Sequence, residues 1–370
     1  MSRIFCSPTR YIQGAGALAE TGTHAARFGS RALLLGGRTA LELCGPAITA
    51  SLTDKGIGCR RETFRGISSG QEVARLVQAA QGCGADLIIA LGGGAAIDAG
   101  KAVAHELGCP VIVIPTTVAT DAPCSALSVI YREDGVFDRY LPLLRNPECV
   151  LVDTAVIAAA PVRFLVAGMG DALACAWESD TCRRSDNPAL FCGGSRPTEM
   201  ALAAARRCYD ILREQGPAAR AAVEQGVVTP ALEAVVEANT LLSGYSSENG
   251  GHAGAHSIHN GLTVLPESGN SLHGEKVAFS VLAQLVLEER TAREIREVQQ
   301  FCTSVGLPVC LADLGISTPT EAAIRAVAET ATAPGETIHA TWFPVTPAMV
   351  INAIRAADTL GNTFKTAAGN

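Results

Sequence analysis

Aromatic rings are scarce in this chain: Phe, Trp and Tyr make up 5% of its 370 residues, while 48% are apolar overall. A core with so few rings must be assembled from small and aliphatic side chains, which suits helices packed closely on a sheet. Basic residues are also in short supply, with 29 Lys and Arg against 36 Asp and Glu, for a net charge of −7. No local run of Lys or Arg offsets that balance, which argues against broad binding to nucleic acid or an anionic membrane. No apolar stretch approaches the roughly 20 residues of a membrane span. The opening "MSRIFCSPTRYIQGAG" has no apolar core of signal-peptide length, so the expectation is a soluble, cytoplasmic protein. There is no CxxC pair, and the 13 cysteines are odd in number and scattered. That pattern excludes a zinc knuckle or a disulfide framework and reads as reduced, buried, small apolar residues. With these classes set aside, small-molecule chemistry is the default.

What is present suggests two domains, since single cores stop growing near roughly 250 to 300 residues. Through residue 160, β-rich runs alternate with helical patterns. "RALLLGG" (31–37), "DLIIALGGG" (86–94), "PVIVIPTT" (110–117) and "CVLVDT" (149–154) are apolar on both faces, as strands of a buried parallel sheet must be. "GQEVARLVQAAQGCGA" and "AAIDAGKAVAHELG" have helical spacing and end at Gly. The order predicts a doubly wound α/β domain over residues 1–160. From Pro161 to residue 370 the chain reads as successive helices, among them "APVRFLVAGMGDALACAWES", "PTEMALAAARRCYDILREQG" and "GEKVAFSVLAQLVLEER", which predicts an all-helical second domain.

Three stretches can carry chemistry. "LGGGAAIDAGK" (91–101) runs from a strand through three glycines into a helix. Glycines let a backbone approach a pyrophosphate, and the helix amino terminus attracts it. A tight turn with no ligand fits the same residues, and Asp98 and Lys101 read equally well as solvated surface charges. "IPTTVATDAPCSALSVIY" (114–131) follows a predicted strand and places Thr116, Thr117, Thr120, Asp121 and Ser125 where α/β sheets meet ligands. It also reads as an ordinary Thr/Asp/Pro turn cluster. Finally, four of the seven histidines, His252, His256, His259 and His273, crowd together. His256 and His259 are one helical turn apart, and Asp171 in "GMGDAL" is a candidate carboxylate partner. Imidazole and carboxylate ligands converging from different segments are what a zinc or iron site needs. Core histidines explain the cluster equally well at this point.

Taken together, "GGG", "PTTVATDAPCSALSVIY", "APVRFLVAGMGDALA", "AHSIHNGLTVLPES", "HGEKVAF" and "GETIH" resemble the glycerol dehydrogenase branch of the iron-containing (metal-dependent, type III) alcohol dehydrogenase superfamily. The resemblance runs in consistent order along most of the chain. It implies a dehydroquinate synthase-like architecture, with a dinucleotide-binding α/β domain, a helical metal-binding domain and an active site in the cleft between them. By the same resemblance Asp171, His256 and His273 match the zinc ligands, and Asp121 matches the residue beside the polyol. Gly94, Thr116, Thr117, Ser125, Leu127 and Tyr131 match positions that contact the cofactor, and Gly93, Ala95 and Asp98 of the glycine loop and its helix join them as cofactor-binding candidates. His259 becomes a proton-relay candidate behind the ligands, and His252 receives no role. The implied reaction is hydride transfer from glycerol or a similar vicinal diol to NAD, with Zn²⁺ as the metal and Fe²⁺ as the alternative. A homo-oligomer, in many relatives an octamer, is also implied.

The match departs from the family at three places. Iron-dependent relatives have a histidine four residues after the aspartate ligand, where this chain has Cys175, and that favours zinc. Gly37 and Arg38 stand where glycerol dehydrogenases commonly carry an acidic residue for the adenosine ribose, which keeps NADP open beside NAD. The glycine loop reads "GGGAAID" in place of the usual "GGGKT". The nearest rival is a reductase of another small 2-oxo compound on the same fold, such as a 2-oxo acid or a substituted three-carbon carbonyl. Asp121 disfavours an anionic substrate. A lyase of the dehydroquinate synthase type needs more basic residues than the metal segments carry, and a non-enzymatic binding protein needs no such ligand set.

Overall fold

Runs of residues that are apolar on both faces become strands buried on both faces. In the structure, a computed structural model that describes residues 2–185 and 195–367, β2 (Arg31–Gly36), β4 (Leu87–Gly92), β5 (Val111–Pro115) and β8 (Cys149–Asp153) are almost wholly buried. With β1 (Tyr11–Gly14) and β3 (Gly58–Thr63) at the edges they form a six-stranded sheet in the order β1-β8-β5-β4-β2-β3. Every neighbouring pair is parallel. The chain passes from β2 outward to β3, then returns past β2 to β4, so the strand order reverses between β2 and β4. In open α/β sheets the crevice at the carboxyl ends of the strands beside such a reversal is where ligands bind. Here the segments leaving that point are Gly36-Gly37-Arg38 and Gly92-Gly93-Gly94.

Both edge strands and a small antiparallel hairpin, β6 (Leu127–Tyr131) with β7 (Phe137–Pro142), go beyond the four strands expected from the sequence. β3 reads "GCRRET" and is mostly exposed, a charged edge of the kind that discourages pairing with another chain. β6 lies in the hydroxyl-rich 114–131 segment, where only Ser128 and Ile130 of its five residues are buried. Leu127 and Tyr131 are its two ends. The helix Gly94–Leu107 lies directly on β4 because Gly100 has no side chain: a Cβ there would sit 2.3 Å from that of Ala90.

The chain divides into two units that are discontinuous in sequence. One is Cys6–Pro161 with Ala221–Gly244, and the other is Met1–Phe5, Val162–Arg220 and Tyr245–Asn370. A single cut after residue 160 misses the return of Ala221–Gly244 to the sheet unit. Specific bonds hold that segment there. Gln13 in β1 donates to both the Glu233 carbonyl at 2.9 Å and its carboxylate at 2.6 Å, and Thr154 donates to the same carboxylate at 2.6 Å. Asn239 donates to the Val118 carbonyl at 3.2 Å from a π-helical turn, Ala238–Leu242.

Among its described residues the helical unit has no strand, only an isolated bridge between Arg3 and Arg196. Its central helix, Val162–Arg184, is buried along most of its length, and the buried stretch includes the carboxylates of Asp171 and Glu178. It crosses the amino-terminal end of the helix His273–Leu287 at two glycines. A Cβ on Gly274 would lie 1.7 Å from the Ala167 carbonyl oxygen, and one on Gly170 would lie 2.2 Å from that of Gly274. The backbones touch here, and the residues next to the two glycines are Asp171 and His273. No helix among the described residues is long and apolar enough to cross a membrane.

Candidate metal centre

Asp171 and Glu178 are seven residues apart on one helix, which puts both carboxylates on the same face two turns apart. The short helix Gly254–Leu262 faces them with His256, and His273 opens the next long helix. His273 Nε2 lies 3.0 Å from Asp171 Oδ1, and His256 Nε2 lies 3.4 Å from the same oxygen. These three atoms, from three separated segments, fall within 4.8 Å of one another.

The outward nitrogens decide what the inward ones can do. Asn260 donates through Nδ2 to both oxygens of Glu336, at 3.3 and 3.1 Å, so its own Oδ1 accepts from His259 Nδ1 at 3.1 Å. His259 Nε2 is then an acceptor, and His273 Nδ1 donates to it at 2.9 Å. His273 Nε2 is left with a bare lone pair aimed at a carboxylate oxygen. Likewise His256 Nδ1 donates to Glu178 Oε2 at 2.6 Å, which leaves its Nε2 as a lone pair facing Asp171. Three acceptors converging with no donor among them call for a cation between them. Zinc suits two imidazoles and a carboxylate, and an outer carboxylate that fixes the ring tautomer is the usual support for such a ligand.

The electrostatics agree. Burial would push the Asp171 carboxyl up, yet His273 and His256 hold it far below the usual carboxylate range. Burial acts the same way on Glu178, and His256 and His252 overcome it. Burial disfavours a charged His256, but Glu178 and Asp171 raise its pKa well above the ordinary value, so a proton takes the cation's place when none is bound. His259 is pushed well below the ordinary value by burial and by the neighbouring His273, which keeps it neutral.

The structure therefore brings Asp171, His256 and His273 together and sets His259 behind His273, with both of its ring nitrogens committed. Cys175 belongs to neither donor cluster found among the described residues; its thiol, 3% exposed, lies 3.3 Å from the Ser247 hydroxyl. Glu178 was missed in the sequence, although its spacing from Asp171 on one helix could have revealed it.

In the sheet unit Gly93 caps the helix Gly94–Leu107, and Gly94 and Ala95 form its first turn, all three half-buried. The loop after β5 packs against them. Thr116 donates its N–H to the Gly92 carbonyl at 3.0 Å, and the Thr117 and Thr120 hydroxyls lie 3.4 Å from where side chains on Gly93 and Gly94 would begin. Asp121 accepts from the Ser243 hydroxyl at 3.5 Å. Ser125 is half-buried, and the Tyr131 N–H donates to the Ser68 carbonyl at 2.9 Å. Of the readings left open for Asp98 and Lys101, the surface charge does not hold, since both are buried. Lys101 is fully buried, pairs with Asp98 at 3.2 Å and donates to the carbonyls of Ala122, Ser125 and Leu127. Burial pushes the Asp98 carboxyl up despite that lysine. The pair is a strut that holds the 122–127 loop on the helix.

Known proteins resemble this chain along nearly its whole length. Residues 8–154 match the family model described as iron-containing alcohol dehydrogenase. A glycerol dehydrogenase of Escherichia coli O6:H1 is 46% identical over 98% of this chain and 99% of its own length. A glycolaldehyde reductase of Halobacterium salinarum is 43% identical over 98% of both chains. The crystal structure of a probable glycerol dehydrogenase from Sinorhizobium meliloti 1021 superposes with a TM-score of 0.93 at 43% identity, covering 98% of this chain and 100% of that one. On these matches the chain belongs to the iron-containing alcohol dehydrogenase family, in its glycerol dehydrogenase branch, and is an oxidoreductase.

Proposed function

We propose that this enzyme oxidises a small vicinal diol, glycerol first among them, to the 2-oxo product with NAD as hydride acceptor and Zn²⁺ held by Asp171, His256 and His273. The observation that carries the reading is the convergence of two lone-pair nitrogens on one oxygen of Asp171, at 3.0 and 3.4 Å. The names of the relatives supply the substrate class. A cation held by these ligands supplies Lewis acidity, which lowers the pKa of a substrate hydroxyl placed against it. Glu178 and His259 orient the two rings through Nδ1, so that both Nε2 atoms stay unprotonated and aimed inward. In the sheet unit the amides and small side chains of Gly93, Gly94 and Ala95 suit a pyrophosphate at the amino end of a 14-residue helix. Thr116, Thr117, Ser125, Leu127 and Tyr131 are assigned to the cofactor, and Asp121 to the substrate hydroxyls. With the dinucleotide bound, its nicotinamide would supply the hydride acceptor for the alcohol carbon, and the proton of the alcohol oxygen would leave to solvent. Zinc is preferred to iron because Cys175, one turn after Asp171, is engaged with Ser247 and supplies no further imidazole.

A second reading, reduction of another small 2-oxo or 2-hydroxy carbonyl compound, is supported by the relative named glycolaldehyde reductase. Initial rates of NADH or NADPH formation with glycerol, with and without a chelator and with Zn²⁺ restored, test the first reading. Chelator-sensitive, zinc-restored oxidation with NAD is expected. No rate from zinc-loaded protein with either cofactor, together with turnover of glycolaldehyde in the reductive direction, favours the second.

A further inference from the structure

His252 has no part in the centre described above, yet its ring lies against that centre's outer side. Gly251, with φ 89°, turns the chain so that His252 precedes the helix carrying His256. Its Nδ1 lies 2.8 Å from His256 Nδ1 and 3.4 Å from Glu178 Oε2, and the two rings stand edge to face with centroids 4.0 Å apart. Glu178 is fixed in place by its other oxygen, which accepts the N–H groups of Ala253 at 2.8 Å and His256 at 3.0 Å. Its Oε2 is therefore held out toward both rings, 2.6 Å from His256 Nδ1.

Two ring nitrogens this close, both turned to a single carboxylate oxygen, leave crowded room for two N–H protons. One divalent cation satisfies all three atoms. A tetrahedral zinc with bonds near 2.0 to 2.1 Å has ligand-to-ligand edges of about 3.3 Å. The 3.4 Å side already has that length, and the 2.8 and 2.6 Å sides reach it by opening about 0.5 and 0.7 Å through rotation of the His252 and His256 rings. The donor chemistry, two imidazoles and one carboxylate, repeats that of the Asp171 centre and suits Zn²⁺ or Cu²⁺.

We propose that Glu178, His252 and His256 form a second cation site, with the His256 ring bridging it to the Asp171 centre. His256 uses Nε2 toward Asp171 and Nδ1 toward Glu178 and His252. Binding the second ion releases the Nδ1 proton of His256 to solvent, and the ring bridges as an imidazolate. Because that proton must leave, this site is the weaker of the two. The inference shares His256 with the proposed zinc centre but has its own residue, His252, through which it can be tested alone.

Metal-free protein equilibrated with buffered Zn²⁺ and assayed for metal per chain tests the pair. The wild type is expected to take up two ions with clearly different affinities. His252→Ala and the milder His252→Gln should each take up one, the tighter. Asp171→Asn should lose the tighter ion. With Cu²⁺ in excess, electron paramagnetic resonance of the wild type should show a coupled pair that reverts to an isolated ion in His252→Gln. Saturation of the wild type at one ion, lost in Asp171→Asn and kept in both His252 variants, overturns the second site and leaves the first standing. Uptake of two ions by the His252 variants also overturns it. A wild type that binds no ion overturns both.

Discussion

The two candidate regions are made of different material. In the sheet unit the candidate surface is largely backbone: Gly93 caps a helix that Gly94 opens, and threonine hydroxyls close in around them. In the helical unit it is made of side chains, with two imidazoles and a carboxylate drawn from three segments and each ring set by its own outer partner. A backbone site depends on the path of the chain and tolerates changes of residue, so "GGGAAID" can stand where relatives commonly carry another sequence. A side-chain site depends on each atom and on everything that orients it.

The sharpest way to break this contrast is to delete one ligand. His273 lies at a helix start and its side chain is 36% exposed, so His273→Ala should leave the helical circular dichroism unchanged. Activity should fall by about 10³-fold or more, since the cation supplies several kcal/mol of charge stabilisation, and bound metal should fall with it. Retention of both metal and turnover would mean that the converging nitrogens are a packing feature.

The next test exchanges glycines. Gly274→Ala drives a Cβ into the Ala167 carbonyl at 1.7 Å, whereas Gly94→Ala meets only the Thr120 hydroxyl at 3.4 Å. Overpacking of this kind costs about 1–3 kcal/mol and can cost more against backbone. Gly274→Ala should therefore lower the urea midpoint and loosen metal together, because it separates Asp171 from His273. Gly94→Ala should leave stability nearly unchanged and, if the loop carries the cofactor, raise the KM for NAD. Equal effects on stability would erase the distinction between the two regions.

Removing the metal exposes the proton that replaces it. The folded pKa of His256 is raised above its unfolded value, so in the chelated protein its contribution to stability is complete below the ring's ordinary value of about 6.5 and is lost as pH rises through the folded value. The melting temperature of chelated protein should accordingly fall on the alkaline side. Zinc-loaded protein should show no such fall, and the gain on adding zinc should grow with pH, because the ion needs neutral rings. A gain independent of pH would place the ion elsewhere.

What could be read from the sequence follows the same division. Strands buried on both faces were visible as unbroken apolar runs, and Asp171, His256 and His273 stood out through a family pattern. β3 was hidden because an edge strand needs no apolar face. The return of Ala221–Gly244 was hidden because it rests on tertiary bonds such as Gln13 to Glu233, which leave no periodicity. That Asp98 and Lys101 are a buried pair was hidden for a related reason. A charged residue in the opening turns of a helix is ordinarily solvated, and the loop folding back from Ala122 to Leu127 buries this pair.

The smallest expected effect concerns the other segment at the strand-order reversal. Arg38 is exposed in the first turn after β2, behind Gly36 and Gly37, and no carboxylate occupies that short stretch. A carboxylate there would favour the ribose 2′-hydroxyl of NAD, whereas a guanidinium can accept a 2′-phosphate. Arg38→Ala should lower kcat/KM with NADP by about tenfold, a loss of about 1.4 kcal/mol, and change the value with NAD by much less. Metal content and the KM for glycerol should not move. An unchanged NADP-to-NAD ratio would mean that cofactor choice, like the glycine loop, is set by backbone shape at the strand ends, and the contrast between the two regions would then extend to specificity.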